Sequence, residues 1–349
     1  MATVLHTGDT HIGFRQYGLE ERREDFAKAF LQVIQVALDE GVSAVIHAGD
    51  LFEDRTPGAE DLLATLRGLV ALKDAGVSFL GIVGNHEQRR GVQWLDLFED
   101  LGLAVHLRTK PFDLGGVPIY GLDFSGRRPV SPPPCEGGVL VCHQLLDQVE
   151  LDGELALEKL WRCGAQFVLL GDYHEHRSWR EGDKLVTYCG STERWMLDEK
   201  RSRGVNIIDL QSGRLQRHEL VTRRFVYIPA DEDPLQRIEN SDVQGAVVVV
   251  YLHTTAKPTA VEIEELGYRR GALAVRVRPV EQLADEQTPP AMTVEFGDVE
   301  QVISEAIAKK NLSGLAREID QVIRDLTIAD SNVDPEVTAL LERAWRENL

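Results

Sequence analysis

At 349 residues the chain has room for one large domain and one or two smaller ones. No stretch reaches the apolar length of a membrane span, and a strand begins too close to Met1 to leave room for a signal peptide. The net charge of −19, with nine lysines against 29 arginines, excludes binding of nucleic acid by general basicity and leaves only local patches for it.

Such an acidic, lysine-poor surface suits a high-salt cytoplasm, where screening acts over a few ångströms. The four cysteines (Cys135, Cys142, Cys163 and Cys189) have no C-x-x-C spacing and read as free thiols in a reducing cytoplasm.

Strand and helix alternate through the first half. Thr3–Thr7 is strand-like. Residues 20–40 are helical, with Phe26, Phe30, Val33, Ile34 and Ala37 on one face and Gly41 as the stop. Residues 43–48 form a second strand. Pro57 opens a helix that carries Leu62, Leu66, Leu69, Val70 and Leu72 and ends at Gly76. A third strand covers 78–83 and a helix 92–101. Shorter β segments follow at 105–107, 118–122, 139–142 and 167–170. The pattern predicts an α/β fold of two facing sheets flanked by helices.

Residues 229–234 break this pattern. Strands at 246–252 and 272–277 around a helix at 260–266 predict a small α+β module. From Asp298 the tail reads as amphipathic helix. Val302, Ile303, Ala306 and Ile307 fall on one stripe, which Leu315, Ile319, Val322, Ile323 and Leu326 continue. Asp334-Pro335 caps a last helix bearing Val337, Leu340, Leu341, Ala344 and Trp345. The expected divisions are 1–224, 225–295 and 296–349.

Five stretches place metal-binding side chains directly after apolar runs. They are Gly8-Asp9-Thr10-His11, Gly49-Asp50-Leu51-Phe52, Gly84-Asn85-His86-Glu87, Val141-Cys142-His143 and Gly171-Asp172-Tyr173-His174. One such motif is common by chance, but five at C-terminal strand ends describe a single site, because that edge is where open α/β sheets bind ligands. Phosphoester hydrolysis needs a hydroxide near neutral pH and a counter-charge for the phosphoryl oxygens. Two cations about 3.5–4 Å apart supply both. Asp50, between the other motifs in the chain, is the candidate bridge. Asp9, His11 and His174 fall to one ion, and Asn85, His143 and Asp172 to the other. The mixed oxygen and imidazole set contains no thiolate and suits Mn²⁺, Mg²⁺ or Fe better than structural Zn²⁺. His86 is placed to protonate the leaving oxygen. His6 and His47, inside apolar runs, read as buried supporting histidines. Arg89-Arg90 beside the third motif is the favoured nucleic-acid contact; Arg127-Arg128 and Arg223-Arg224 are weaker candidates.

In this order the motifs resemble the calcineurin-like metallophosphoesterase superfamily. With Tyr188-Cys189-Gly190-Ser191-Thr192-Glu193-Arg194, they resemble more narrowly the SbcD/Mre-eleven nucleases of DNA double-strand-break repair, over about residues 3–225. The resemblance implies a Mn²⁺-dependent exo- and endonuclease with two divalent ions. It also implies a homodimer paired through helices near 58–75 and 91–101, and an SbcC/Rad-fifty-type SMC-like ATPase as partner in a nucleoid-associated, cytoplasmic setting. The small module would then cap the site and steer DNA, and the tail helices would dock the ATPase's coiled coil.

Two departures stand out. Where the family has G-H-x-H, this chain has Gly171-Asp172-Tyr173-His174-Glu175-His176, so either Asp172 and His174 or His174 and His176 supply the ligands. Gly171 ends the apolar run, which favours the first register. Glu53 stands where family members often carry a histidine. Two other functions stay in view: a metallophosphoesterase for a small phosphorylated substrate, and a mainly structural DNA-tethering subunit.

Overall fold

A computed structural model describes residues 2–127, 129–253, 258–280, 314–324 and 330–347. The chain divides into two compact units at Thr222–Arg223.

In the first unit, the apolar runs become central strands because both of their faces are covered. The strands β1 (Thr3–Thr7), β2 (Ala44–His47), β3 (Ser78–Gly81) and β4 (Val105–His106) pair in parallel in that order. The helices α1 (Glu20–Asp39), α2 (Ala59–Asp74) and α3 (Trp94–Asp100) connect them. The α1 periodicity ends at Gly41, which takes the left-handed φ of +61° that a helix stop favours.

A second sheet contains β5 (Phe112–Leu114), β6 (Val117–Leu122), β7 (Val139–His143) and β8 (Phe167–Gly171), followed by β9 (Arg177–Glu181) and β10 (Lys184–Tyr188). The helix α4 (Leu157–Arg162) joins β7 to β8. The strands β11 (Gly204–Asp209) and β12 (Leu215–Glu219) then return to the first sheet, where β11 runs antiparallel beside β1. Strand order is β12-β11-β1-β2-β3-β4 in one sheet and β5-β6-β7-β8-β10-β9 in the other.

Alternation assigns each side chain to a layer. Ala44 and Ile46 of β2 meet Val139, Val141, Phe167 and Leu169 between the sheets. Val45 points the other way and packs with Phe30, Val33 and Leu69 of the helices. Leu140, Cys142, Val168 and Leu170 face outward toward Leu160 of α4. Burying a valine, leucine, isoleucine or phenylalanine side chain in these layers contributes about 1.5–3 kcal/mol. The result is the expected α/β sandwich of two sheets flanked by helices.

The second unit contains β13 (Phe225–Ile228), α5 (Pro234–Asn240), β14 (Val247–His253), α6 (Ala260–Arg269) and β15 (Ala274–Val280). The module expected as α+β has all three strands parallel, joined by crossover helices around Ile228, Val248, Val250, Ile263 and Val275. The stripe Val302, Ile303, Ala306 and Ile307, together with Leu326, lies outside the described residues. Gly314–Arg324 is helical. The last helix starts at Asp330, earlier than the expected cap at Asp334-Pro335. No helix among the described residues is long and apolar enough to cross a membrane.

Candidate metal centre

Strands β1, β2 and β3 are parallel neighbours, as are β7 and β8, so the five motifs leave the sandwich at one edge. The first two motif loops are laced together beyond the strand ends. Asp9 N–H donates to Gly49 O at 3.0 Å, His11 N–H to Asp50 O at 3.1 Å and Ile12 N–H to Leu51 O at 3.0 Å. Glu87 ties the third motif to the second, accepting from Phe52 N at 3.0 Å and Gly84 N at 3.3 Å. Burial pushes the Glu87 carboxyl up to about 7, with Asp50 adding to the shift. Asp123 takes the Val83 N–H at 2.8 Å and is itself gripped by His106, which steadies the end of β3.

Among the described non-glycine residues, those with positive φ are Asp9, His11, Asp50, Asp172 and Tyr17. Four of the five belong to the motifs. Such backbone strain is held only where the surroundings over-determine it, and it gathers at functional sites.

Three histidines converge through the same nitrogen. His143 Nδ1 donates to Ala48 O at 2.7 Å, His174 Nδ1 lies 2.7 Å from Glu199 Oε1, and His11 Nδ1 lies 2.8 Å from Glu53 Oε2. Their Nε2 atoms turn inward. His11 Nε2 and His174 Nε2 are 3.2 Å apart. His143 Nε2 stands 2.9 Å from Asn85 Oδ1, 3.2 Å from Asp50 Oδ2 and 3.7 Å from Asp172 Oδ1. Asp50 Oδ2 is also 3.9 Å from His11 Nε2, so it lies between the two groups, while Asp50 Oδ1 accepts the His86 N–H at 3.0 Å. Asp9, His11 and His174 form one set of mutually close ligand atoms, and Asp9, Asp50 and His143 another.

The set calls for positive charge. Asp9 Oδ2 is buried without a hydrogen-bond partner, an expensive state for a carboxylate oxygen unless a cation meets it. Burial alone would lower the His143 pKa, but Asp50, Asp172 and Asp9 outweigh it and raise the imidazole to about 10. Glu199, with Asp9 and Asp50, raises His174 to about 9 in the same way. The mixed carboxylate, amide and imidazole donors fit a divalent cation.

Asp9, His11, Asp50, Asn85, His143, Asp172 and His174 thus come together, and His86 borders them with its ring 4.8 Å from that of His11. His176 does not join them: its Nε2 lies 3.4 Å from Ser178 Oγ. His47, buried, contacts Thr10 Oγ1 at 3.0 Å. Arg89 and Arg90 are exposed, and Arg89 stacks on Trp94 at 5.0 Å. Arg223 and Arg224 make contacts within their own unit to Gly245 O, Asp242 and Gln244 O. Arg127 turns inward onto Asp172, and Arg128 lies outside the described residues.

The sequence did not point to Glu199 or Trp195, and it marked Glu53 only as a departure from the family pattern. Glu53 is 5% exposed and faces His11, His86 Nδ1 at 3.5 Å and Trp195 Nε1 at 3.1 Å. The Trp195 ring lies 5.8 Å from those of His11 and His86 and 5.5 Å from that of His174. The signal for Trp195 and Glu199 was their position directly after Tyr188–Arg194. That segment supports His174: Ser191 N–H donates to His174 O at 3.1 Å, and Gly190 lies where a side chain would crowd the same carbonyl.

A two-sheet α/β sandwich with acidic and imidazole ligands gathered at its strand ends is the architecture of a metal-dependent phosphoesterase. Residues 2–162 match the calcineurin-like phosphoesterase family. The DNA double-strand break repair protein Mre11 of Haloferax volcanii is 40% identical over 98% of this chain and 82% of its own length. The protein of the same name from Halobacterium salinarum is 39% identical over 97% of this chain and 93% of its own. That of Methanosarcina mazei is 39% identical over 95% and 58%. The chain belongs to the Mre11 family and is a metal-dependent phosphodiester hydrolase.

Proposed function

We propose that the chain is a Mn²⁺-dependent DNA exonuclease and endonuclease of double-strand-break repair, working with two metal ions. The observation that carries this reading is the convergence of the His11, His143 and His174 Nε2 atoms on Asp9, Asp50, Asn85 and Asp172, with Asp9 Oδ2 buried and unpartnered. Asp9, His11 and His174 would hold one ion, Asn85, His143 and Asp172 the other, and Asp50 would bridge them. Two bound cations supply an acidified water and a clamp on the phosphate. The protein orients the ligands: Glu199 and Ala48 O bond the Nδ1 atoms of His174 and His143 and thereby commit their Nε2 atoms, while Glu53 lies 2.8 Å from His11 Nδ1. His86 Nδ1 sits 3.2 Å from Glu53 O, which leaves Nε2 as the nitrogen to protonate the leaving oxygen.

DNA would approach along exposed Arg89 and Arg90, since phosphate contact needs accessible guanidinium groups. Leu63 and Val70 of α2, and Leu97 and Leu101 near α3, are exposed apolar side chains that support pairing of two copies. Exposed Ile323, Leu341 and Trp345 support docking of an SMC-like ATPase on the tail helices, and the second unit would serve as the cap.

The test is nucleotide release from end-labelled linear duplex DNA with Mn²⁺ or chelator across a salt series. Metal-dependent digestion is expected; none under any condition would favour a small phosphorylated substrate. Two further results follow from the ligand geometry. Glu199→Gln should weaken Mn²⁺ binding about 10–100-fold, measured by titration calorimetry, because His174 loses its orienting carboxylate.

Affinity should also rise with pH. His143 and His174 keep protons up to about 10 and about 9 in the cation-free chain, and those protons must leave before the nitrogens can ligate. Apparent affinity should therefore gain roughly tenfold per pH unit for each proton released, compared at about pH 6.5 and about pH 8.5. A flat profile would contradict the assignment of these two imidazoles.

A further inference from the structure

Arg127 enters the centre from the rim and already places a cation at the carboxylate assigned to the second ion. Its guanidinium forks onto Asp172, with Nη1 2.5 Å from Oδ2 and Nη2 3.2 Å from Oδ1. Asp172 Oδ1 is the oxygen that faces His143 Nε2 at 3.7 Å. The atom that would complete the second ligand set is thus already bonded to Arg127.

The guanidinium has a separate anchor. Nη1 is 3.0 Å from Oε1 of Glu154, a buried residue whose Oε2 accepts from Leu145 N at 2.8 Å and Gln144 Nε2 at 3.3 Å. Arg127 also lies over the Phe124 ring at 5.3 Å, and that ring meets His143 edge-on. Its side chain remains 29% exposed, so it can turn outward without unpacking the core.

A single carboxylate cannot fully serve a guanidinium fork and a dication together, and the two cations repel at this range. We infer that Arg127 is the resident counter-cation of the second metal position, so that the second ion binds only by displacing the guanidinium from Asp172. The two positions then differ in affinity and fill in order, the one formed by Asp9, His11 and His174 first. After displacement Arg127 stays on Glu154, beside the filled position, with donors turned to the mouth of the site. This inference rests on the two-ion reading proposed above.

Mn²⁺ binding to the metal-free chain, followed by calorimetry and by the loss of free-ion paramagnetic resonance signal, tests it in the wild type, Arg127→Met and Glu154→Gln. The wild type should bind two ions with unequal affinity. Arg127→Met should tighten the second ion at least tenfold and leave the first unchanged. Glu154→Gln should weaken the second ion, because the guanidinium then leans on Asp172 alone. Opposite signs separate competition from bracing: if Arg127 merely held Asp172 in place, both variants would weaken the second ion, and that result overturns the inference. An unchanged second affinity in Arg127→Met overturns it too. If Arg127→Met does not fold, the sign of Glu154→Gln decides alone. A wild type that binds fewer than two ions refutes the two-ion reading and, with it, this one.

Discussion

Replacing His86 with alanine should lower phosphodiester hydrolysis about 10²–10⁴-fold, the range for loss of a general acid, while both Mn²⁺ ions still bind. The backbone of His86 is fixed by its N–H on Asp50 Oδ1, and alanine keeps that bond. The ring belongs neither to the Asp9, His11 and His174 set nor to the Asp9, Asp50 and His143 set, though it lies close to His11 and Glu53 in a third group of potential ligands. Its edge-on contacts with His11 and Trp195 position it beside the centre. The loss should therefore fall on kcat, with metal affinity by calorimetry within about threefold of wild type. Full activity in the alanine variant would remove His86 from the chemistry. Equal loss of metal binding would make it a structural support. Abolished hydrolysis with retained metal would also eliminate the purely tethering role.

Gly84→Ala should be as damaging by a different route. A Cβ at Gly84 would sit 2.7 Å from Asp50 Cγ and closer still to Asp50 Oδ1 and its backbone N. The backbone N cannot swing aside and the short, buried side chain has nowhere to go, so Asp50 must shift, and both ligand sets shift with it. Overpacking of this kind costs about 1–3 kcal/mol of stability. The functional loss should be larger, about 10³-fold or more in hydrolysis, since a misplacement near 1 Å already costs about 10²-fold. Gly91→Ala is the control: a Cβ there meets nothing within 4 Å, and activity should not change. Gly49 belongs to the same close-packed edge. It has φ of +93°, and its Cβ would lie 2.8 Å from Cγ of His143. The motif glycines are there because two sheets bring five loops into one small volume.

That crowding explains which parts of the molecule were legible. The strands β1, β2, β3, β7 and β8 carry near-continuous apolar runs because both faces are covered, and the ligand motifs follow directly at their ends. Strand β9 (Arg177–Glu181) is largely exposed and charged, so no apolar alternation announces it. The pairing of β11 with β1 joins Asn206 to His6, a contact that no local pattern encodes. Glu53 stands out in the sequence only as a departure from the family's usual histidine, and its burial against His11 shows only in the fold. Arg127-Arg128 resembled a basic patch for the same reason: a run of residues does not tell which way a side chain turns, and Arg127 points to two carboxylates. The alternative ligand register could not be decided from spacing. In the fold, Asp172 lies beside His143, while His176 lies beside Ser178 at the start of β9.

The most direct test of the two-ion centre is an anomalous difference map from crystals of the chain equilibrated with Mn²⁺. Two peaks are expected, about 3.5–4 Å apart. Asp50 should lie between them, with His11 and His174 on one side and Asn85 and His143 on the other. One peak alone, or two peaks away from Asp50, would contradict it.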